Sequence, residues 1–317
     1  MRAGYNINMK ISVIIATMNR PDDLHKVLES VAKQSLLPDE VLVIDQSVDD
    51  RTRRLVEEIK AGYSNFSNRL KYFFQEEKSL VKARNRGLSL ATGEKISFLD
   101  DDSELFPDYY ERVQAYFEAH LEVGALSGNT LPKEKFEGLG WSLRQGLMRF
   151  FLLSDWSGHM TPSGFGHPIY EKEIDRVISV GLLPGCNMNF RAKCIEGEKF
   201  DEWFTGYGFR EDVDFCYRIS KKTQIRMIPD AKLYHHYSTG NRLDVERLKR
   251  MEMRNNYYIF KKHKYRNFFS NLIFCYSLCG IIGIDLLEFL TSWDKLKFEK
   301  FRAGVSASFE ILRRSPL

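Results

Sequence analysis

Three consecutive carboxylates, Asp100, Asp101 and Asp102, follow directly on the apolar run Ile96-Ser97-Phe98-Leu99. Like charges side by side repel one another, and a divalent cation held among them offsets that cost. The plain alternative is a solvated turn leading into a helix, because Asp favours both places. Groups of similar chemistry recur along the chain. Thr17 closes the run that starts at Lys10 and is followed shortly by Arg20, and Asp45 closes Glu40-Val41-Leu42-Val43-Ile44. Glu211-Asp212 stand where a helical pattern begins, and His235-His236 close Ala231 to Tyr234. Carboxylates can hold a metal or take up a proton, and imidazole is a common metal ligand.

The elements around these residues decide whether they can meet. Lys10 to Thr17 is an apolar, β-branched run and reads as a strand, broken by Met18-Asn19-Arg20-Pro21-Asp22. Leu24 to Gln34 has helical spacing, Glu40 to Ile44 is a second buried strand, and Asp49 to Gly62 is helical. Leu70 to Phe74 is a third strand, Ser79 to Ala91 a helix stopped near Gly93, and Lys95 to Leu99 a fourth strand. Strands alternating with helices over short loops predict a parallel, doubly wound sheet. All strands of such a sheet end at one edge, so Thr17, Arg20, Asp45 and the three acids should converge there. No GxGxxG follows the first strand and no GxxxxGK[ST] occurs, which excludes a dinucleotide fingerprint and a P-loop.

Beyond the acids, Pro107 to His120 reads as a helix and Val123 to Ser127 as a strand. Residues 132–178 read as an irregular, loop-rich insert carrying Trp141, Trp156, Phe165 and Tyr170. Regular pattern returns at Leu183 to Arg191. Gly206 to Arg210 forms a glycine-bearing turn ahead of a helix to about Lys221, with its acids in the first turn where the helix dipole favours them. Ile225 to Ile228 and Ala231 to Tyr234 are expected as two short strands. Arg247 to Lys264 is a basic helix, 267–284 an uncharged stretch, and Trp293 to Arg314 an amphipathic, basic segment.

The 317 residues, 43% hydrophobic and 28% charged, suit a globular protein with a sizeable core. The net charge of +4 is unevenly placed: about +7 falls from Arg242 onward and about −3 before it. That asymmetry predicts an anionic partner for the C-terminal region. The five cysteines form no CxxC pair, which suits a reducing cytosol. Residues 1–9 read as a leader without the apolar core of a signal peptide.

Four linked segments carry a family resemblance. They are VIIATMNRP with VLVIDQS, Ala83-Arg84-Asn85-Arg86-Gly87 ahead of FLDDD, GCNMNFR from Gly185, and GYGFREDVDFCYR from Gly206. In this order the chain resembles the family 2 glycosyltransferases from about Lys10 to Tyr237. The resemblance implies a GT-A fold: an α/β architecture with a Rossmann-like, mostly parallel central sheet flanked by helices. The catalytic domain would span 10–240, with a nucleotide-binding half to about 128 and an acceptor half from 129. A helical C-terminal region would cover 241–317. The implied activity is transfer of a sugar, with inversion, from a nucleotide-diphosphate sugar donor to an acceptor hydroxyl in polysaccharide or glycolipid assembly.

Residue by residue, the resemblance assigns Asp45 to the nucleotide base and Asp100 to the ribose and nucleotide side. Asp102 and His235 become ligands of Mn²⁺ or Mg²⁺, with His236 as the other histidine in question. Asp101 counts with the nucleotide-sugar site as a spacer between its neighbours, and Asp212 becomes the catalytic base beside Glu211. Thr17 and Arg20 join the nucleotide-sugar site. Arg84 would meet the diphosphate, since guanidinium matches phosphate bidentately. Two departures stand out: Arg191 is followed by Ala192-Lys193, and the second strand ends Asp45-Gln46-Ser47.

The expected partners are the donor, a glycan or lipid-linked acceptor, and an anionic membrane surface at the cytoplasmic face. No nucleic acid is expected, and a second copy of the chain is the other candidate for packing against the C-terminal helices. A nucleotidyltransferase making the nucleotide sugar, or a non-catalytic scaffold, are the alternative readings.

Overall fold

Apolar residues run unbroken through the middle of the first two strands, Val13 to Ala16 and Val41 to Ile44, and the computed structural model buries both of their faces. It describes residues 10–131, 138–170, 172–238, 244–264 and 267–314. The leader 1–9, the start of the insert at 132–137, and Arg266 of the basic cluster lie outside the described residues. The first half alternates as the pattern requires: β1 (Ile11–Thr17), α1 (Pro21–Ala32), β2 (Glu40–Asp45), α2 (Arg51–Gly62), the single turn α3 (Ser64–Ser67), β3 (Leu70–Phe74), α4 (Leu80–Leu90) and β4 (Lys95–Asp100). These four strands are parallel, in the order β3-β2-β1-β4. Val13 and Ile15 join one core with α1, α2 and the helix after the acids, while Ile14 joins a second core on the opposite face. Burial on both faces explains why these strands read as unbroken apolar runs.

The second half extends the sheet by mixed pairing. It contains β5 (Ser103–Leu105), α5 (Tyr109–Ala119), β6 (Val123–Leu131), α6 (Leu139–Phe150), β7 (Ile178–Val180), β8 (Asn187–Arg191), α7 (Glu211–Ser220) and β9 (Gln224–His235). β8 runs antiparallel between β4 and β6, β9 pairs parallel with β6, and β5 closes the edge antiparallel to β9. The architecture is the mostly parallel central sheet flanked by helices that the resemblance implied.

Several expectations need correcting. The insert at 132–178 is not wholly irregular, since it contains the twelve-residue α6. The two short strands near Pro229 are one strand, β9, whose register against β6 shifts between Ser127 and Asn129. Immediately after the three acids comes the short strand β5, which the sequence reading missed.

At the C-terminus, α8 (Val245–His263), α9 (Phe268–Ser292) and α10 (Lys295–Arg314) pack together. Their core of Met253, Phe260, Phe274, Leu278, Ile284, Ala307 and Ile311 also takes in Leu153 and Phe165 of the insert. The uncharged stretch runs on through Asp285 to Ser292, making α9 a 25-residue helix long and apolar enough to cross a membrane. A third of its most apolar window is buried against the rest of the chain. Asp285 is also buried in it, 2.7 Å from Lys249 of α8 and 2.9 Å from Lys300 of α10.

Candidate active site

The parallel register sets the first part of the site. Thr17 lies opposite Asp45, and Ala16 opposite Asp100, so the ends of β1, β2 and β4 are level at one edge. Asp45 has no exposed surface. Tyr72 of β3 donates its hydroxyl to one carboxylate oxygen at 2.8 Å, and the Ser47 amide donates to the other at 2.9 Å. Gln46, beside it, accepts from the Ser79 amide at the start of α4.

Asp101 is no mere spacer. It is fully buried, accepts from the Thr17 hydroxyl at 2.7 Å and pairs with Arg20 at 2.7 Å. Burial pushes its carboxyl up to about 7 against these two partners. Arg20 is a quarter exposed and also lies 3.8 Å from Asp102, so one guanidinium spans two of the three acids.

Asp102 turns to β9. His235 Nε2 lies 3.0 Å from its Oδ1, and the Ser238 amide donates to its Oδ2 at 2.9 Å. Burial works against the Asp102 carboxylate, yet His235, Ser238 and Arg20 together hold it down to about 2. Burial likewise disfavours a charged His235, but its neighbours Cys186 and Asp102 raise the imidazole to about 11. The ligand atoms of Asp100, Asp102 and His235 all lie within 4.8 Å of one another. His236 points elsewhere, to Glu104 at 2.7 Å. Successive residues of a strand face opposite ways, so only one of the two histidines can join the cluster.

The second part of the site comes from α7 and α4. Arg84, 3% exposed, reaches Glu211 at 2.5 Å, Asp100 at 3.0 Å and the Gly185 carbonyl at 3.0 Å. The arginine expected at the diphosphate therefore sits between two carboxylates and bridges the strand edge to the helix. Asp212 accepts from the Gly185 amide at 3.0 Å and from its own helix at the Val213 amide. Burial pushes both Glu211 and Asp212 upward, Glu211 to about 8, while Arg84 opposes the rise in each. A raised carboxyl is better matched to taking a proton near neutral pH. A β-carbon at Gly185 would stand 3.1 Å from the Asp212 carboxylate and 3.3 Å from the Arg84 guanidinium, so a side chain there would press on both groups.

All ten residues named from the sequence are thus linked at or beside one edge. The residues that reasoning missed are the ones that hold them: Tyr72 on Asp45, Gly185 on Asp212, Ser238 on Asp102 and Cys186 on His235. Tyr72 alone carried a usable signal, since β3 neighbours β2 and places it opposite Val43, two residues before Asp45 and on the same face. The others touch their partners only through contacts far along the chain.

Comparisons with known proteins bear on the family and the fold. The model of the family described as "Glycosyl transferase family 2" matches residues 12–175, just over half of the chain. A Campylobacter jejuni relative, GalNAc(5)-diNAcBac-PP-undecaprenol beta-1,3-glucosyltransferase, is 35% identical over 98 residues, 30% of each chain. Alignments with three curated relatives span 29%, 38% and 30% of those relatives' own length. Among solved structures, S. aureus TarS 1-349 in complex with UDP-GlcNAc superposes with a TM-score of 0.62 at 19% identity, over 97% of this chain and 82% of that one. The mannosyltransferase PcManGT from Pyrobaculum calidifontis, in complex with GDP-Man and Mn²⁺, gives 0.60 at 14% identity over 97% and 88%. These two share the fold. On the family match, the chain belongs to glycosyl transferase family 2.

Proposed function

We propose that this chain transfers a sugar, with inversion, from a nucleotide-diphosphate sugar to an acceptor hydroxyl, and that it needs a divalent metal. The observation that carries the reading is the pairing of two sets of groups at one sheet edge. One is the Asp100, Asp102 and His235 cluster. The other is the separate Asp212 carboxylate, whose neighbour Glu211 is joined to the cluster through Arg84. Two carboxylates and an imidazole within 4.8 Å fit Mn²⁺ or Mg²⁺, whose remaining positions suit phosphate and water. Bound there, the cation would offset the negative charge that builds on the departing diphosphate.

The chain's own residues do the rest. Asp45, fixed by Tyr72 and Ser47, takes the base side, and Asp100 the ribose side. Thr17 and Arg20 hold Asp101 and so brace Asp102. Asp212 receives the acceptor proton as the hydroxyl attacks from the side away from the leaving group. Glu211 keeps Arg84 in place behind it. A positioned base contributes on the order of 10²–10⁴ in rate.

In this reading residues 10–240 form the catalytic domain and 241–317 a docking region. The acceptor is lipid-linked, as the name of the C. jejuni relative states for its own substrate. Phe268 and Phe269 lie exposed at the start of α9, and Leu290, Trp293 and Leu296 lie exposed at its far end and the turn into α10, beside the exposed Lys295. Such a surface suits peripheral attachment at the cytoplasmic face of a membrane rich in anionic lipid. The basic cluster ahead of α9 contributes less than its sequence suggested, because Lys262 is neutralised by Asp201 and Asp214.

The test is a panel of UDP- and GDP-sugars with Mn²⁺, read as thermal stabilisation and as slow release of the nucleoside diphosphate. At least one donor should respond, and only with the metal present. Response by a nucleoside triphosphate plus sugar phosphate instead would favour a nucleotidyltransferase. No response to any donor would sink the reading. For the membrane part, the protein should co-sediment with phosphatidylglycerol vesicles more than with phosphatidylcholine ones, and Phe269→Ser with Trp293→Ser should abolish the difference.

A further inference from the structure

The loop in front of Asp212 is held in an uncommon conformation by the C-terminal helix α8. Arg210, the residue that opens α7, has φ 76° and ψ 9°, a left-handed conformation that L side chains adopt only when their surroundings impose it. One stripe of α8 supplies those surroundings. Asn255, 1% exposed, donates its side-chain amide to the Phe209 carbonyl. Glu252, one turn earlier, lies 3.7 Å from the Arg210 guanidinium, which itself donates to the Gly166 carbonyl.

One turn later, Tyr258 donates to Asp201 at 2.7 Å and stacks on Trp203 with ring centroids 3.8 Å apart. Lys262 and His263 then reach the fully buried Asp214 of α7 at 2.8 and 2.7 Å. The spacing 252, 255, 258 or 259, 262 keeps these groups on one helical face. Both sides of the Glu211-Asp212 pair are therefore tied to the same rigid rod.

We infer that α8 is a strut for the catalytic base, with Asn255 and Glu252 as positioning residues that hold Phe209 and Arg210 so that Asp212 faces the acceptor hydroxyl. The inference rests on the assignment of Asp212 above. An alternative, that α8 simply adds bulk to the core, gives no reason for its polar stripe to meet backbone and charge at 209, 210 and 214. Misplacing a reacting group by about 1 Å can cost on the order of 10²-fold in rate, so a modest loosening here should be visible in turnover.

The experiment uses the full chain with Mn²⁺ and whichever of UDP-GlcNAc, UDP-glucose or GDP-mannose it turns over fastest. Asn255→Ala should lower kcat about 10- to 100-fold while the KM for the donor changes less than about twofold. Arg247→Ala, on an exposed part of the same helix, should change neither. Arg210→Gly supplies a residue that takes the left-handed conformation without help. In that background Asn255→Ala should therefore cost less than about twofold in kcat.

Equal loss from Asn255→Ala in both backgrounds, or a loss that lies in KM rather than kcat, would overturn the strut. Hydrogen exchange at the amides of 209–212 gives a readout that does not depend on the chemistry, and it should speed up in Asn255→Ala. Unchanged exchange there overturns the strut even if Asp212 proves to be the base. Full transfer by Asp212→Asn overturns the base assignment and with it the positioning role.

Discussion

Asp45 and Asp100 stand where they do because strands end there, whereas Asp212 stands where it does because distant segments hold it. The first region is built from neighbours in register, with Thr17 beside Asp45 and Ala16 beside Asp100. The second depends on Arg84 reaching across 127 positions of sequence to Glu211, and on Gly185 donating to Asp212. Parallel strands fix their own ends once the cores on both faces are packed. A helix start has no such guarantee, and its aim must be set by side chains. The two regions should therefore fail differently when broken.

The largest contrast is expected from Asp102→Ala and Asp212→Asn. Both should lower transfer by about 10²–10⁴-fold. Asp102→Ala should also abolish Mn²⁺-dependent binding of the nucleoside diphosphate by calorimetry, while Asp212→Asn should leave that binding intact. Equal retention of nucleotide by both variants would erase the division between a donor edge and a base.

Next comes the bridge between the regions. Arg84→Met leaves Glu211 buried without its cation, and breaking a buried pair from one side costs about 3–5 kcal/mol. Adding Glu211→Gln should recover much of that loss, because the stranded charge is then gone. Urea unfolding of the two single variants and the double variant measures the coupling. Additive effects would mean that the 2.5 Å contact does not join the regions energetically.

This bridge also marks where the sequence stopped being legible. Strand ends carrying Asp45 and Asp100 can be read because an apolar run followed by an acid has few structural meanings. Arg84 was expected at the diphosphate because a guanidinium matches phosphate, and nothing local says that Glu211 lies within reach. Asp101 likewise looked like filler between two useful acids, yet Thr17 and Arg20 bury it. The helix α6 was hidden because Gly140 and Gly146 interrupt its pattern and much of its surface stays exposed. Strand β5 is only three residues long and depends on pairing with β9. For Arg84, Asp101 and β5 the missing information is a contact between residues far apart in sequence.

A pH dependence should separate the regions further. Burial would raise Asp214, but His263, Lys262 and Arg218 hold its carboxyl down to about 2. Because the folded value lies below the unfolded one of about 4, the group's contribution is present above that value and is lost as pH falls toward 2. The wild type should therefore lose stability between pH 4 and 2 more steeply than Asp214→Asn, measured as the urea midpoint at each pH. Parallel curves would mean that the α7–α8 contact carries no such charge.

The smallest effect sits at the far end of β4, the strand that delivers the three acids. Lys95 begins that strand, is 2% exposed, and its amine has no hydrogen-bond partner among the described residues, lying only over the Phe117 ring. Burial pushes the amine down to about 8, with Arg191 adding to the fall and Glu118 resisting it. A depressed lysine favours the fold in its neutral form, so this contribution should grow as pH rises from about 8 to about 10.5. Lys95→Met should remove that pH dependence and stabilise the protein at pH 7 by about 1 kcal/mol, read from urea unfolding. Asp102, just past the other end, is held down to about 2 by His235, Ser238 and Arg20, so its removal should cost stability at pH 7 as well as transfer. If Lys95→Met also impaired transfer, the two ends of β4 would be coupled, and the division between a functional edge and a structural one would have to be redrawn.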